Sequence, residues 1–266
     1  MSDEEEVIEM EEELPPIFEP KEKGFFPLLG ESFKFFLLHL PAIATIVVPV
    51  FLVVEFLVPL LSMFIPDLAE GITGIEFLDD LLSEIIKLII IALIGAIIGG
   101  IAWIATIRVI ASSIRGEKIP PIQAMKDGME MLPMFVVTAI LYYLLVIIGF
   151  ILLIVPGFIL WIYFIFWQFS YVLRGKGAFS ALTYSKDLVS GNFVRVALNV
   201  IGISIVMYVL NTYVIGLIAG TIAGLVGEDD SIPYLLVDAI FTALGKVFEG
   251  VRIIFMLSLF KDLEKD

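Results

Sequence analysis

The chain of 266 residues is 60% hydrophobic and 17% charged, with a formal net charge of −14 at neutral pH. A soluble domain has too little interior to bury so much apolar surface, so the composition predicts an integral membrane protein. The acidic balance excludes nucleic acid as a partner, because a phosphate backbone demands clustered lysine and arginine. The chain contains no cysteine and a single histidine, His39. We therefore expect no disulfide, no metal site, no cofactor and no catalytic residue.

The amino terminus is an acidic segment, since eight of the first 13 residues are Asp or Glu. Such a block repels itself and has little to bury. Residues 1–24 are therefore predicted to form a disordered cytoplasmic tail, followed by a single membrane domain over residues 25–266. A secretory signal peptide would begin with basic and then apolar residues, which is the opposite pattern.

Apolar stretches long enough to cross a bilayer follow in chain order, each covering the roughly 20 residues that one crossing needs. In hydrocarbon the backbone must satisfy its own hydrogen bonds, so these stretches are predicted to be helices despite their content of Ile and Val. The six predicted spans are residues 41–65, 85–112, 133–154, 157–174, 193–225 and 233–260. The predicted fold class is an all-α integral membrane protein with six transmembrane helices arranged as three hairpins.

The middle hairpin is the most apolar part of the chain. No Asp, Glu, Lys or Arg occurs from Leu132 to Leu173, a stretch about twice as long as one span. The only interruption is Pro156-Gly157, and we predict that these two residues form the turn between the third and fourth helices.

The connections between the spans fall into two sets of opposite charge. One set holds most of the lysine and arginine, whereas residues 66–84, the Pro156-Gly157 turn and residues 226–232 hold none and are rich in acid. Cytoplasmic loops keep the excess of Lys and Arg, and an even number of spans then places both termini in the cytoplasm of a prokaryotic cell. The carboxylates of residues 66–84 suit a divalent cation, but they lack the spacing of a known cation loop, so a solvated surface is favoured.

Amphipathic segments precede three of the predicted spans: residues 28–40, 121–132 and 178–190. They lead to Pro41, Pro133 and Asn192, and proline favours the first turn of a helix as asparagine favours its cap. We predict three helices lying in the inner interface, each turning sharply into a membrane hairpin, with ordinary loop helices as the alternative. This pattern divides the membrane domain into repeat-like units, residues 25–112, 120–174 and 178–260.

The stretch from Leu152 to Val196 resembles the membrane domain associated with some prokaryotic glycerophosphodiester phosphodiesterases and its stand-alone relatives. That family shows a Pro-Gly between two spans, an aromatic-rich helix, a short Gly-containing loop, and an amphipathic helix that leads to a Gly/Phe/Arg restart. The matching residues are Pro156, Gly157, Trp167, Gly175, Gly177, Ala181, Leu182, Ser185, Gly191, Phe193 and Arg195. The resemblance implies a stand-alone six-span domain associated with lipid. In enzyme-bearing members the activity belongs to a soluble barrel with acidic metal ligands and paired histidines, so we expect none here.

Ionisable residues within the spans are candidates for a functional site, because a charge in hydrocarbon is costly unless it is paired or hydrated. Asp238, Lys246, Glu249 and Arg252 lie on one stripe of the last predicted helix. Glu55, in the first helix, has no opposite charge on its own span, and we predict that it pairs with Lys246. A buried ion-pair network that fixes helix packing is the favoured interpretation. A hydrated cavity or ion path, or a protonated Glu55, is the alternative.

Glycines recur every four residues in two of the predicted helices, a spacing that allows two helices to approach closely. The predicted packing residues are Gly95, Gly99, Gly216, Gly220 and Gly224. A groove that faces a substrate is the alternative for the second group. The aromatic residues Trp103, Tyr142, Tyr143, Trp161, Tyr163 and Tyr171 are interpreted as interfacial anchors or packing residues.

These patterns predict a non-enzymatic membrane protein that organises or binds lipids or partner membrane proteins. The expected partners are membrane lipids, together with a membrane-protein partner or a second copy of the chain. The alternative is a small transporter or channel that uses the charged stripe with Glu55, or an oligomer with a pore between subunits. A water-accessible cavity reaching Lys246 or Glu249 favours transport, whereas a dry bundle with paired charges favours a scaffold.

Overall fold

The computed structural model describes residues 23–62, 72–227 and 231–264. Every regular element in these ranges is a helix, and helix accounts for 88% of the structure. The predicted all-α class is confirmed. Most of the predicted acidic tail, and parts of the acidic loops 66–84 and 226–232, lie outside the described residues.

The described ranges contain nine α-helices and one π-helical segment. They are α1 (Phe25–Ser62), α2 (Glu76–Ile114), α3 (Pro121–Leu152), α4 (Ile154–Tyr163), α5 (Trp167–Arg174), α6 (Phe179–Val189), α7 (Phe193–Val209), the π-helical segment (Leu210–Gly216), α8 (Leu217–Val226) and α9 (Ile232–Leu263).

Five helical stretches are long and apolar enough to cross a membrane. They are Phe25–Leu57, Glu76–Ile114, Pro121–Leu152, Ile154–Arg174 and Phe193–Val226. These are the properties of a membrane-embedded protein. The sixth predicted span corresponds to α9, which is 32 residues long but carries the charged stripe and is more polar than the other five.

Two of the three predicted helix restarts are wrong. α1 continues through Pro41, and α3 continues through Pro133. In α1 the side chains of Phe36 and Ile43, two turns apart on either side of the proline, are both fully buried. Packing of one continuous face outweighs the hydrogen bond that a proline removes from a helix. The third restart is present, because α6 and α7 are separate helices and Asn192 directly precedes α7.

The turn of the middle hairpin lies earlier than predicted. The single residue Leu153, with extended backbone (φ −163°, ψ 147°), separates α3 from α4. Pro156 and Gly157 belong to the first turn of α4, where a proline is tolerated because its missing N–H would have no helical partner. Gly157 allows close approach of the two helices, since a Cβ at this position would lie 2.4 Å from the ring of Phe150.

The fourth predicted span is broken near its middle, between α4 and α5. The buried hydroxyl of Ser185, on α6, accepts a hydrogen bond from the backbone N–H of Phe166 at 3.0 Å. The same hydroxyl donates to the carbonyl oxygen of Tyr163 at 2.9 Å. Because unpaired backbone groups are costly in apolar surroundings, Ser185 stabilises the break.

The hydrophobic core is concentrated at one end of the bundle. Residues 253–260 of α9 are all buried, so this part of the helix is surrounded on every side. Residues 232–249 are buried along one face only. α1 packs along α9 in the most extensive interface between two helices. We call the end of the bundle around residues 250–264 the closed end, and the end around residues 231–249 the open end.

Ion pairs join α5 and α7 to the last turn of α9 at the closed end. Arg174 donates to both carboxylate oxygens of Glu264, at 2.7 and 2.5 Å, and the hydroxyl of Tyr184 donates to the same group at 2.7 Å. Arg195 pairs with Asp262 at 2.7 Å. Burial raises the pKa of the Glu264 carboxyl, but the hydrogen bonds from Arg174 and Tyr184 outweigh burial and hold that pKa below its usual value. Both arginines come from the lysine- and arginine-rich set of connections.

Candidate functional site

A cavity of about 360 Å³ lies in the middle of the bundle, where α2, α3, α4, α5, α7 and α9 meet. Its wall is largely aromatic, and all three tryptophans of the chain belong to it. We call it the aromatic cavity; its main lining residues are Trp103, Tyr142, Tyr143, Trp161, Trp167, Gln168, Ser204 and Arg252. The sequence showed these rings only as separate aromatic positions, because their convergence depends on how the helices pack.

Among the described residues, Arg252 is the only charged residue that lines the aromatic cavity. Its guanidinium carbon lies 5.2 Å from the ring centroid of Trp103, and its Nε donates to Glu249 at 2.5 Å. The indole N–H of Trp103 donates in turn to the side-chain oxygen of Gln168 at 2.8 Å. Stacking on an aromatic face and a charge-assisted hydrogen bond hold a guanidinium in a defined plane.

Several polar groups of this wall remain available to a ligand. The bond to Glu249 uses only the Nε of Arg252, and a guanidinium carries five N–H donors. Within the described ranges its two terminal amino groups donate no other hydrogen bond. Gln168 likewise uses only its oxygen. Ser204 donates to the carbonyl of Val200 at 2.7 Å, which leaves its oxygen as an acceptor.

The charged stripe of α9 lines three further cavities toward the open end. They measure about 430 Å³ between α8 and α9, about 200 Å³ between α1, α2 and α9, and about 360 Å³ beside α7 and the π-helical segment. Glu249 lines all three, Lys246 lines the first two, and Asp238 lines the first. The stripe therefore faces open space rather than a dry helix interface.

Glu55 lies partly buried on α1, close enough to Lys246 and Asp238 for electrostatic interaction. The described residues contain no direct salt bridge between Glu55 and Lys246. The ammonium of Lys246 lies instead 5.6 Å from the ring centroid of Phe51, one turn from Glu55 on the same helix. The structure thus brings the two predicted partners to one region without joining them.

The first predicted glycine stripe faces α1. A Cβ built on Gly95 would lie 3.9 Å from Val54, and one built on Gly99 would lie 3.5 Å from Phe51. These are ordinary van der Waals distances, so alanine would also fit at either position. The contact between α1 and α2 therefore does not require glycine here.

The second predicted stripe does not pack within the described chain. Gly216, Gly220 and Gly224 are exposed, and a Cβ at Gly220 or Gly224 would meet no atom within 4 Å. The buried face of α8 is formed by Ala219 and Ala223 instead. A π-helical turn before α8 explains the difference, because i→i+5 bonding rotates the residues that follow it relative to a continuous α-helix.

The π-helical segment makes a close contact with α9 that the sequence did not reveal. The side-chain amide of Asn211 donates to the carbonyl of Met207 at 3.0 Å. A Cβ at Gly245 would lie 2.7 Å from the side-chain oxygen of Asn211, so only glycine fits there without a shift. In the sequence, only the polar pair Asn211-Thr212 within an uncharged run marked this position. Two polar residues in a row do not predict a π-helix.

The site therefore combines one guanidinium, one amide and six aromatic side chains around the aromatic cavity, with the charged stripe beside it. Among the described residues, no group of His, Cys, Asp and Glu is arranged to hold a metal ion. In comparisons with known proteins, the chain matches no family model, no curated protein and no solved structure.

Proposed function

We propose that this chain is a non-enzymatic integral membrane protein that binds a lipid-like, amphipathic ligand in the aromatic cavity. The observation that carries the proposal is the convergence of six aromatic side chains and Arg252 on one space of about 360 Å³. Ligand sites are typically cavities of about 300–1,000 Å³, lined by apolar and aromatic side chains with a few placed polar groups. An acyl or isoprenoid chain suits the rings, and a polar head group suits the polar wall.

In this proposal α9 is the sixth crossing, so the helices form three hairpins in a prokaryotic cytoplasmic membrane with both termini in the cytoplasm. Its length of 32 residues and the arginines gathered at the closed end support this arrangement. The resemblance to stand-alone membrane domains of the phosphodiesterase family agrees with it. Arg252 then lies about 18 Å along the helix axis from Glu264, near the middle of a hydrocarbon core about 30 Å thick.

The position of Tyr143 supports entry of the ligand from the bilayer. This residue lines the aromatic cavity and is also 58% exposed on the outer surface of α3. Its neighbour Leu144 is 51% exposed on the same surface. A chain leaving the acyl region of the bilayer would therefore meet the cavity without crossing an aqueous phase.

Intrinsic tryptophan fluorescence tests the proposal, because all three tryptophans line the cavity and none lies elsewhere. A brominated-acyl diacylglycerol is titrated into the protein in nanodiscs of unbrominated lipid. Bromine quenches indole on contact, so we expect saturable quenching that the unbrominated analogue reverses.

Two variants on α7 provide the matched control. Ser204→Phe fills the cavity, whereas Ile205→Phe adds the same ring on the lipid-facing side, where Ile205 is 57% exposed. The first should abolish saturable quenching and the second should retain it. Linear, unsaturable quenching that is equal in all three proteins would rule out the site.

A second candidate function, transport, is favoured by the cavities along the charged stripe, which reach Lys246 and Glu249. Flux through liposomes tests it with Glu55→Gln and Glu249→Gln, both of which remove a carboxylate charge. Transport predicts flux by the natural chain that these variants reduce. Equal flux from protein-containing and empty vesicles, across ions and small metabolites, would count against it.

A further inference from the structure

We infer that the head group recognised by the aromatic cavity is anionic and rich in acceptor oxygens, as in a phosphate ester on an apolar tail. The inference rests on the proposed function and names the ligand class of that site. It assigns Arg252 and Gln168 as the two residues that bind the head group. A free phosphate ion offers the same oxygens without the tail, so the experiment below includes it.

The free donors of Arg252 are the first argument. Its Nε is engaged by Glu249, and its guanidinium carbon lies 5.2 Å from the ring centroid of Trp103. The two terminal amino groups remain, side by side. That pair matches two oxygens of a phosphate or carboxylate, which is why arginine binds these groups in bidentate fashion.

The orientation of the Gln168 amide is the second argument. An amide can present either its oxygen or its NH₂ group to a partner, but an indole N–H is only a donor. The Nε1 of Trp103 lies 2.8 Å from the amide of Gln168, so the oxygen must face Trp103. The NH₂ group is then the free end of a residue on the cavity wall, and it presents two further donors.

At Arg252 and Gln168 the wall therefore favours an anionic ligand. Arg252 and the Gln168 NH₂ group are donors without acceptor capacity, so a cationic or donor-rich head group finds no partner on them. The carboxylate of Glu249 is bound to Arg252 from the side of the neighbouring cavities and does not line the aromatic cavity. Glu249 is thus an internal anion that competes with the ligand for the same guanidinium.

This competition predicts the effect of removing Glu249. Lys246 lies three residues earlier on the stripe, so it offers Glu249 another cation on the same helix face. Glu249→Gln replaces the charged partner of Arg252 with a neutral amide, so we expect anionic ligands to bind more tightly. If Arg252 served only to hold the helix together, loss of its partner would weaken binding or leave it unchanged.

The test uses three lipids with identical dibrominated acyl chains and different head groups: phosphatidic acid, phosphatidylcholine and diacylglycerol. Each quenches the tryptophan fluorescence of the protein in nanodiscs of unbrominated lipid. A hydrogen-bonded charge pair contributes about 1.5–3 kcal/mol, which corresponds to roughly 10- to 100-fold in affinity. We expect phosphatidic acid to bind tighter than diacylglycerol by that factor.

Variants of Arg252 assign the preference to its charge. Arg252→Gln should erase the preference while diacylglycerol still binds, and Arg252→Lys should keep most of it. The double variant Glu249→Gln/Arg252→Gln removes both charges and covers the case in which an unpaired Glu249 destabilises the single variant. Gln168→Leu should reduce the preference less than Arg252→Gln. Lys118→Gln, at an exposed position outside the aromatic cavity, should leave it unchanged.

The outcomes separate the inference from the proposed function. Absence of saturable quenching by all three lipids overturns the proposed function and the inference with it. Saturable binding without a head-group preference, or with a preference that survives Arg252→Gln, overturns the inference alone. Inorganic phosphate that competes as well as phosphatidic acid would identify a free anion as the ligand and overturn the lipid-borne head group.

Discussion

The two ends of α9 serve different purposes within one continuous helix. At the closed end, residues 253–260 are buried on every side, and ion pairs from Arg174 and Arg195 hold the last turn. At the open end the helix is buried along one face, and Lys246 and Glu249 line cavities. Within α9, a fully buried stretch thus adjoins a stretch whose charges line cavities.

This difference shows that burial and ion pairs are concentrated at one end of α9, whereas the other end leaves space beside its charges. A cavity with charged walls is costly for stability, because its lining lacks packing partners and its charges are incompletely solvated. The closed end offsets that cost. The aromatic cavity lies where the two ends meet, so Arg252 is anchored by the packed part of α9 while it faces open space.

The largest expected effect comes from removing a large ring at the closed end. Phe260 is fully buried and contacts the rings of Phe166, Phe169 and Tyr184. Phe260→Ala should lower the free energy of unfolding in detergent by about 3–5 kcal/mol. Leu225→Ala, where the natural side chain is 83% exposed, should change it by less than about 0.5 kcal/mol. Equal losses would show that the two ends are packed alike.

The break between α4 and α5 depends on one hydroxyl. Ser185→Ala leaves the N–H of Phe166 and the carbonyl of Tyr163 without their partner, so we expect a loss of about 1–3 kcal/mol in unfolding free energy. Ser190→Ala, on the exposed end of the same region, is the control and should be near neutral. A Ser185→Ala protein as stable as its control would mean that water replaces the hydroxyl.

Replacing glycine with alanine should change the stability of the protein in opposite directions at two positions. A Cβ at Gly128 would lie 2.9 Å from the backbone oxygen of Ile101, so Gly128→Ala should destabilise by about 1–3 kcal/mol through overpacking. Gly220 has no atom within 4 Å of the added carbon, so Gly220→Ala should stabilise by about 0.4–1 kcal/mol. Thermal unfolding of the two variants measures both. A destabilised Gly220→Ala protein would indicate a partner packed on α8.

The ion pair of Glu264 should make the stability of the protein depend on pH in the acidic range. The pKa of Glu264 in the folded protein lies below its ordinary value of 4.5. Its contribution is therefore fully present above pH 4.5 and is lost as the pH falls through the folded pKa. As the pH is lowered through this range, the melting temperature should fall less steeply for Glu264→Gln than for the natural chain. If the melting temperatures of the two proteins fell in parallel, Glu264 would have the same pKa in the folded and the unfolded protein.

The sequence predicted the helical class and the charged stripe because both follow from local patterns. Long apolar runs admit no structure but helix in hydrocarbon, and the spacing of Asp238, Lys246, Glu249 and Arg252 places them on one helix face. The restarts at Pro41 and Pro133 were wrong because packing of a continuous apolar face overrides a proline signal. For α1 that packing is against α9, which is remote in sequence, whereas α3 packs chiefly against α2 and α4.

The aromatic cavity could not be predicted for a related reason. Trp103, Trp161 and Trp167 come from three helices, and their convergence depends on helix rotation, which a hydropathy pattern does not fix. The break between α4 and α5 separates Trp161 from Trp167 and so sets their relative rotation. The second glycine stripe stays a prediction, because it packs against no described helix and the π-helical segment changes which face of α8 is buried.

Cysteine labelling along α9 tests the contrast between its two ends most directly, because the natural chain contains no cysteine. Single variants Thr242→Cys and Lys246→Cys probe the open end, and Val251→Cys and Leu257→Cys probe the closed end. In native membranes, a small water-soluble thiol reagent should modify the first two quickly, and the last two only after denaturation. Equal reactivity at all four positions, or protection at 242 and 246, would contradict an open polar cleft beside a closed core.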